Sequence, residues 1–173
     1  MKTILRSLLL CCIVASSIAV QAQSKTTTII VVRHAEKEVI TTGDAMMKAD
    51  PPLSIEGKTR AENLVAALKE FTPAAVFSTN YDRTRTTVTP ITKKLGLDIQ
   101  LYDARNQQAF ADKLKAMEGS TILVAGHSNT VPRLVNLLIG DNSKYADLDE
   151  SVYNKIFIVR ITDGVPTVEI REY

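Results

Sequence analysis

Three compact apolar runs and two longer final ones punctuate the chain, and the stretches between several of them repeat at helical spacing. Thr28–Val32, Ala74–Phe77 and Thr121–Ala125 lack polar alternation, as strands of a parallel sheet buried on both faces do. From Ser54, a favourable N-cap residue, Ala61, Leu64, Val65 and Leu68 recur at i, i+3, i+4 and i+7. Arg83–Leu95 predicts a second helix ended by Gly96, with Pro90 marking a kink or an early stop. Gln107–Glu118, closed by Gly119, predicts a third. A fourth begins near Asn129, carries Val131, Leu134, Val135 and Leu138 on one face, and stops at Gly140. The last two runs, Lys155–Thr162 and Val165–Arg171, flank Asp163-Gly164, a strong hairpin signal. Strands alternating with helices predict an α/β fold: a three-layer α/β/α sandwich with a mostly parallel central sheet and a C-terminal hairpin. The stretch Glu38–Pro52, with Gly43, Asp44 and Pro51-Pro52, predicts a long loop above the strand ends. Loops of that length tend to be functional lids or disordered.

The start of the chain changes the picture of where the domain lies. Lys2 and Arg6 precede a stretch from Leu8 to Val20 that is apolar apart from Ser16 and Ser17, and Val20-Gln21-Ala22 offers small residues before a cleavage point. This pattern predicts a signal peptide over residues 1–22, removed on maturation, and an exported protein, periplasmic or extracellular. The run is shorter than the roughly 20 residues a membrane span needs, so no stable insertion is expected after cleavage. Residues 23–173 remain as one domain, and 45% hydrophobic residues over the chain are enough for a sizeable core. Both cysteines, Cys11 and Cys12, fall in the leader, so the mature chain is expected to hold no disulfide and no cysteine–metal site. A lipid-anchored Cys11 fits poorly behind the bulky Leu10. The full chain carries a formal charge of +2, and losing Lys2 and Arg6 with no acid leaves the two signs balanced. That is no footprint for nucleic acid or a membrane surface.

Charge and chemistry gather at strand ends. The sequence holds two histidines, and each follows an apolar strand: Arg33-His34 after Thr28–Val32, and Gly126-His127-Ser128-Asn129 after Thr121–Ala125. In an open α/β sheet, ligands bind outside the carboxyl ends of the strands. Ser128 and Asn129 open a helix, so backbone N–H groups at that site suit an anion. A third strand end, Ser78-Thr79 through Arg83, Arg85 and Thr87, supplies arginines whose fork fits phosphate. Arg85 reads better as a residue of a solvated helix face. Two histidines beside arginines would repel a cation, so a metal site is not expected.

Taken in order, Arg33-His34, Ser78-Thr79 with Arg83 and Thr87, and Gly126-His127 resemble the motifs of the histidine phosphatase superfamily, the phosphoglycerate-mutase-like proteins. Leu53-Ser54-Ile55-Glu56-Gly57, with Ala61, is a weaker fourth match, and together the motifs span the mature domain. The resemblance implies a small exported phosphatase. His34 would be the nucleophile that forms a phosphohistidine, with Arg33, Arg83, His127 and Ser128 binding the substrate. Two guanidiniums and an imidazolium would supply the positive charge, with no cofactor and no metal. Flanking cations should depress the His34 pKa so that it attacks in its neutral form.

The chain departs from that pattern in two places. Relatives often carry glycine and then asparagine after Arg-His, where Ala35 and Ile40 stand here. Relatives that cleave ordinary phosphomonoesters commonly place a glutamate, the general acid, where ungapped counting puts Gln107. Asp103 and Glu36 are the remaining candidates for that role, with a turn residue and a loop-edge charge as their plainer readings. Without an acid, good leaving groups such as phosphohistidine, acyl phosphates or pyrophosphates are favoured. Two functions follow as expectations. One is a phosphatase for a small phosphorylated compound or a phosphorylated envelope component. The other is a catalytically weak phosphate-binding module on the same fold. Glu38–Pro52 and Asp141–Tyr153 are the loops expected to choose the substrate; oligomeric state is not readable.

Overall fold

The computed structural model describes residues 25–41 and 45–173, apart from the side chains of Met46 and Lys48. The predicted signal peptide lies outside the described residues. Eleven elements follow in order: β1 (Thr26–Arg33), α1 (Ala45–Ala49), α2 (Ile55–Ala67), β2 (Ala75–Ser78), α3 (Asp82–Leu95), β3 (Ile99–Leu101), α4 (Gln107–Lys115), β4 (Thr121–Gly126), α5 (Thr130–Ile139), β5 (Lys155–Thr162) and β6 (Val165–Glu172). They form one sheet in the order β3-β2-β4-β1-β5-β6. The first four of these strands run parallel, and β5 and β6 run antiparallel to their neighbours.

The sandwich follows from side-chain alternation along β1. Ile29 and Val31 join one buried cluster with Phe110 and Leu114 of α4 and Leu134 and Val135 of α5. Ile30 and Val32 join the other with Leu64 of α2 and Val88 and Ile91 of α3. Both faces are covered, which is why the parallel strands read as unbroken apolar runs.

The expected elements are present, with four differences. The helix α3 continues past Pro90 to a left-handed Gly96 at φ 66°, so the proline does not stop it. The helix α4 ends at Lys115 rather than near Glu118. The edge strand β3 was not among the apolar runs, because its three residues are half-exposed or exposed and too few to show a period. The stretch from Glu38 to Pro52 contains the short α1, and its ends are tied by a Lys37–Leu53 bridge and by the Glu38 N–H donating to Pro52 O at 2.9 Å. The hairpin turn is as expected: Asp163 at φ 51° and Gly164 at φ 82° are both left-handed, the requirement of a type I′ turn.

Ser54 caps α2 by accepting from the Gly57 N–H at 3.1 Å. Gly57 itself packs on the segment that follows His34, and a Cβ added there would lie 2.1 Å from the Glu36 carbonyl oxygen. Backbone cannot yield as a flexible side chain does. Gly57→Ala should therefore destabilise the fold by about 1–3 kcal/mol. The check is the midpoint of urea unfolding, which an unchanged value would contradict.

Candidate phosphoryl-transfer site

Strand register brings the predicted residues together. Arg33 lies opposite Gly126, and Ser78 opposite Ala125, so the carboxyl ends of β1, β2 and β4 stop at one level. The chain leaves β1 toward β2 and later leaves β4 toward β5, on the other side of β1. That reversal opens a crevice between the two strand ends. The His34 N–H continues the pairing by donating to Gly126 O at 2.9 Å. Ala35 N–H donates to Thr87 Oγ1 at 2.9 Å, and Thr87 donates to Arg83 O at 2.7 Å. The turn carrying His34 is thereby fixed to the helix carrying Arg83.

His34 is 3% exposed, and its Nδ1 lies 2.7 Å from Ala35 O. A carbonyl only accepts, so Nδ1 carries the proton and Nε2 keeps its lone pair. Burial, ahead of the nearby Arg83, His127 and Arg33 charges, lowers its pKa from 6.5 to about 3, while the Ala35 hydrogen bond works the other way. The direction is the one expected of the flanking cations, but desolvation outweighs them. His127 stands 5.4 Å away between ring centroids, edge-on. Its pKa falls to about 4, first through burial and then through Arg83 and Arg33, with Asp50 and Glu150 opposing. The expected imidazolium is thus a neutral imidazole in the unliganded site, and gains its proton only if an arriving anion offsets the burial cost.

Of the two arginines, Arg83 fits its expected place better. It is stacked on Tyr81 at 4.4 Å, which in turn meets the His127 ring at 5.0 Å. Its Nη1 donates to Asp50 Oδ1 at 3.0 Å, and the other Asp50 oxygen accepts the Asp82 N–H at 2.8 Å. Arg33 is 1% exposed and turned toward the loop before β5. Its Nη1 reaches the carbonyls of Asp149, Glu150 and Val152 at 3.0–3.1 Å, and Nη2 reaches Glu150 Oε2 at 2.7 Å. Tyr153 covers the guanidinium at 4.1 Å. Both arginines keep a buried Nε with no protein acceptor. Ser128 donates to Glu150 Oε1 at 2.6 Å, so its hydroxyl is held by that carboxylate.

Neither proposed acid is placed as a proton donor. Asp103 borders the cleft, but Arg105 grips both of its oxygens, which holds the carboxyl below its usual range. Glu36 pairs with Arg60 at 2.7 Å and does not line the cleft. Gln107 does line it, 4% exposed, with Nε2 donating to Thr130 O at 2.7 Å. Arg85, bonded to Asn80 and near Asp82, belongs to the outer helix face as expected. Thr79 was named only as part of a motif, and Tyr81, Asp50, Glu150 and Tyr153 were not singled out. The last three lie in the two predicted specificity loops, whose course no local pattern encodes.

The resulting cleft has a volume of about 1210 Å³ and is bordered by His34, His127, Arg83, Lys37, Arg105 and Arg133, with Asp103, Asp147 and Glu150 as its acids. Among the described residues, no group of three or more His, Cys, Asp or Glu side chains could hold a metal ion. None of their helices is long and apolar enough to cross a membrane. The acid limb of kcat/KM should lie near pH 3, because the nucleophile His34 stays deprotonated above its lowered value of about 3. An acid limb near 6.5 would mean a solvated His34.

Comparison with known proteins agrees with this geometry. Residues 29–104 match the family model of the histidine phosphatase superfamily (branch 1). No curated protein matches by sequence. Among solved structures, the α-ribazole phosphatase of Shigella flexneri superposes with a TM-score of 0.67 at 14% identity, covering 84% of this chain and 96% of its own. The protein histidine phosphatase SixA, complexed with tungstate, gives 0.65 at 18% identity, with 84% and 96% covered. A phosphoglycerate mutase of Bacillus anthracis str. Sterne gives 0.61 at 18%, with 84% and 92% covered. At these identities the likeness is one of fold, that of the phosphoglycerate-mutase-like proteins.

Proposed function

We propose that this chain, which carries the histidine phosphatase superfamily match over residues 29–104, is a phosphatase working through a phosphohistidine on His34. The observation that carries the reading is the tautomer of His34. With Nδ1 bound to the Ala35 carbonyl and the ring buried and neutral, Nε2 is a nucleophile at any ordinary pH. In the first step Nε2 bonds to phosphorus as the bond to the leaving group breaks, and the leaving group departs with the electron pair. Arg83 stabilises the charge on the phosphoryl oxygens, and His127 joins it once protonated. In the second step a water oxygen attacks phosphorus, the phosphorus–nitrogen bond breaks, and phosphate leaves with the water proton. Positive charge from these side chains serves where other phosphoryl-transfer enzymes use a metal.

The substrate class consistent with this site is a phosphorylated compound with a good leaving group, because Gln107, Asp103 and Glu36 are each unsuited to donate a proton. The signal-peptide pattern in the sequence of residues 1–22 favours export, and on that reading phosphorylated small molecules or envelope components outside the cytoplasm are the substrates in reach. A phosphate-binding module is the second reading, favoured by the same lack of a proton donor. The experiment is a screen of phosphorylated compounds with chelator present, combined with quenching in alkaline detergent to trap the phosphoenzyme. Phosphate release with an acid-labile phosphohistidine on His34 supports the phosphatase. Binding without turnover on every compound supports the module.

A further inference from the structure

Behind His127 runs a short chain of hydroxyls that the two chemical steps leave unused. His127 Nε2 lies 2.9 Å from Thr79 Oγ1, and Thr79 Oγ1 lies 2.9 Å from Thr84 Oγ1. Thr84 Oγ1 in turn lies 2.8 Å from Tyr81 O and 3.0 Å from Thr79 O. Thr79 is 3% exposed and Thr84 fully buried. A hydroxyl has one proton, and a carbonyl only accepts. The Thr84 proton therefore points to a carbonyl, and its oxygen accepts the Thr79 proton. Thr79 then has only lone pairs to offer, so Nε2 of His127 must be the donor. In the opposite sense Thr84 would face two carbonyl oxygens lone pair to lone pair, in a buried place where unmade hydrogen bonds are costly.

We propose that Thr79, backed by Thr84, is a positioning residue that fixes His127 as the Nε2–H tautomer, so that Nδ1 is the nitrogen that takes up a proton when a phosphoryl group enters. The two histidines are thus locked in opposite senses, His34 by a carbonyl at Nδ1 and His127 by a hydroxyl at Nε2. The charges around His127 are Arg83, Arg33, Asp50 and Glu150, with the rings of Tyr81 and His34 against it; none of these fixes which nitrogen is protonated. The catalytic consequence rests on the phosphatase reading; the tautomer does not.

The test uses imidazole nitrogen NMR, which is simple because the sequence holds only two histidines. In the wild-type protein at neutral pH, one ring should be protonated at Nδ1 and the other at Nε2. Thr79→Val keeps the side-chain shape and removes the hydroxyl; it should release the His127 tautomer and lower kcat about ten- to a hundred-fold. Thr79→Ser should restore both. Wild-type rings both protonated at Nδ1 would overturn the proposal without any variant being made. So would a Thr79→Val protein with unchanged tautomer and kcat, or a Thr79→Ser protein as impaired as Thr79→Val. If wild type releases no phosphate from any compound, the phosphatase reading fails while the tautomer measurement still decides this one.

Discussion

His34→Ala should lower phosphate release by at least about 10⁴-fold and abolish the trapped phosphoenzyme, with little change in stability. The magnitude follows from the loss of the only atom able to form the covalent intermediate. Arg83 and His127 would still bind a phosphoryl group, so substrate affinity should survive while kcat collapses. Stability should hold because the strand-end pairing depends on the His34 backbone N–H at 2.9 Å from Gly126 O, which alanine retains. The side chain itself makes one protein hydrogen bond, to Ala35 O. Retention of more than about a hundredth of wild-type turnover would place the nucleophile elsewhere, since rate losses of catalytic groups are measured against the residual binding effect. His127→Ala tests the same geometry more gently: it removes a charge-stabilising partner and should cost less than the nucleophile does.

Much of this arrangement was legible along the chain because it depends on local physics. Apolar runs fix β1, β2 and β4, the residue after a buried strand emerges at its carboxyl end, and so Arg33-His34, Ser78-Thr79 and Gly126-His127 had to share one edge. Gly96 and Gly140 ended their helices because each takes a left-handed φ, 66° and 75°. What escaped was non-local. That Glu150 would reach across to Arg33, and Asp50 to Arg83, depends on how two loops fold back over the sheet, and no periodicity records it. The role of Arg33 shows this most clearly. A buried guanidinium must satisfy its donors, and with the loop carbonyls of Asp149, Glu150 and Val152 within reach it turns toward them, leaving its Nε without a protein acceptor. The edge strand β3 was missed for the opposite reason: it is held by pairing with β2, not by an apolar pattern of its own.

An aryl phosphate should be cleaved faster than an alkyl phosphate by about 10²–10⁴-fold, the factor that general acid catalysis typically supplies to a poor leaving group. Three side chains near the cleft are unsuited to supply the proton. Gln107, which borders the cleft, presents an amide bound to Thr130 O, and an amide has no proton to give. Asp103 is held in its charged form by Arg105, and Glu150 is held below its usual range by Ser128 and Arg33. Leaving groups that depart as weak bases escape the penalty, whereas an alkoxide bears it in full. A phosphorus–nitrogen or acyl-phosphate bond should therefore be among the best substrates. The ratio of kcat/KM for the two esters under one set of conditions decides the matter. Equal rates would require a donor, and Asp147, exposed at the cleft edge, is the carboxylate left to provide it. Asp147→Asn would then slow the alkyl ester alone, and if it did not, the alkyl leaving group would have to draw its proton from water in the open cleft.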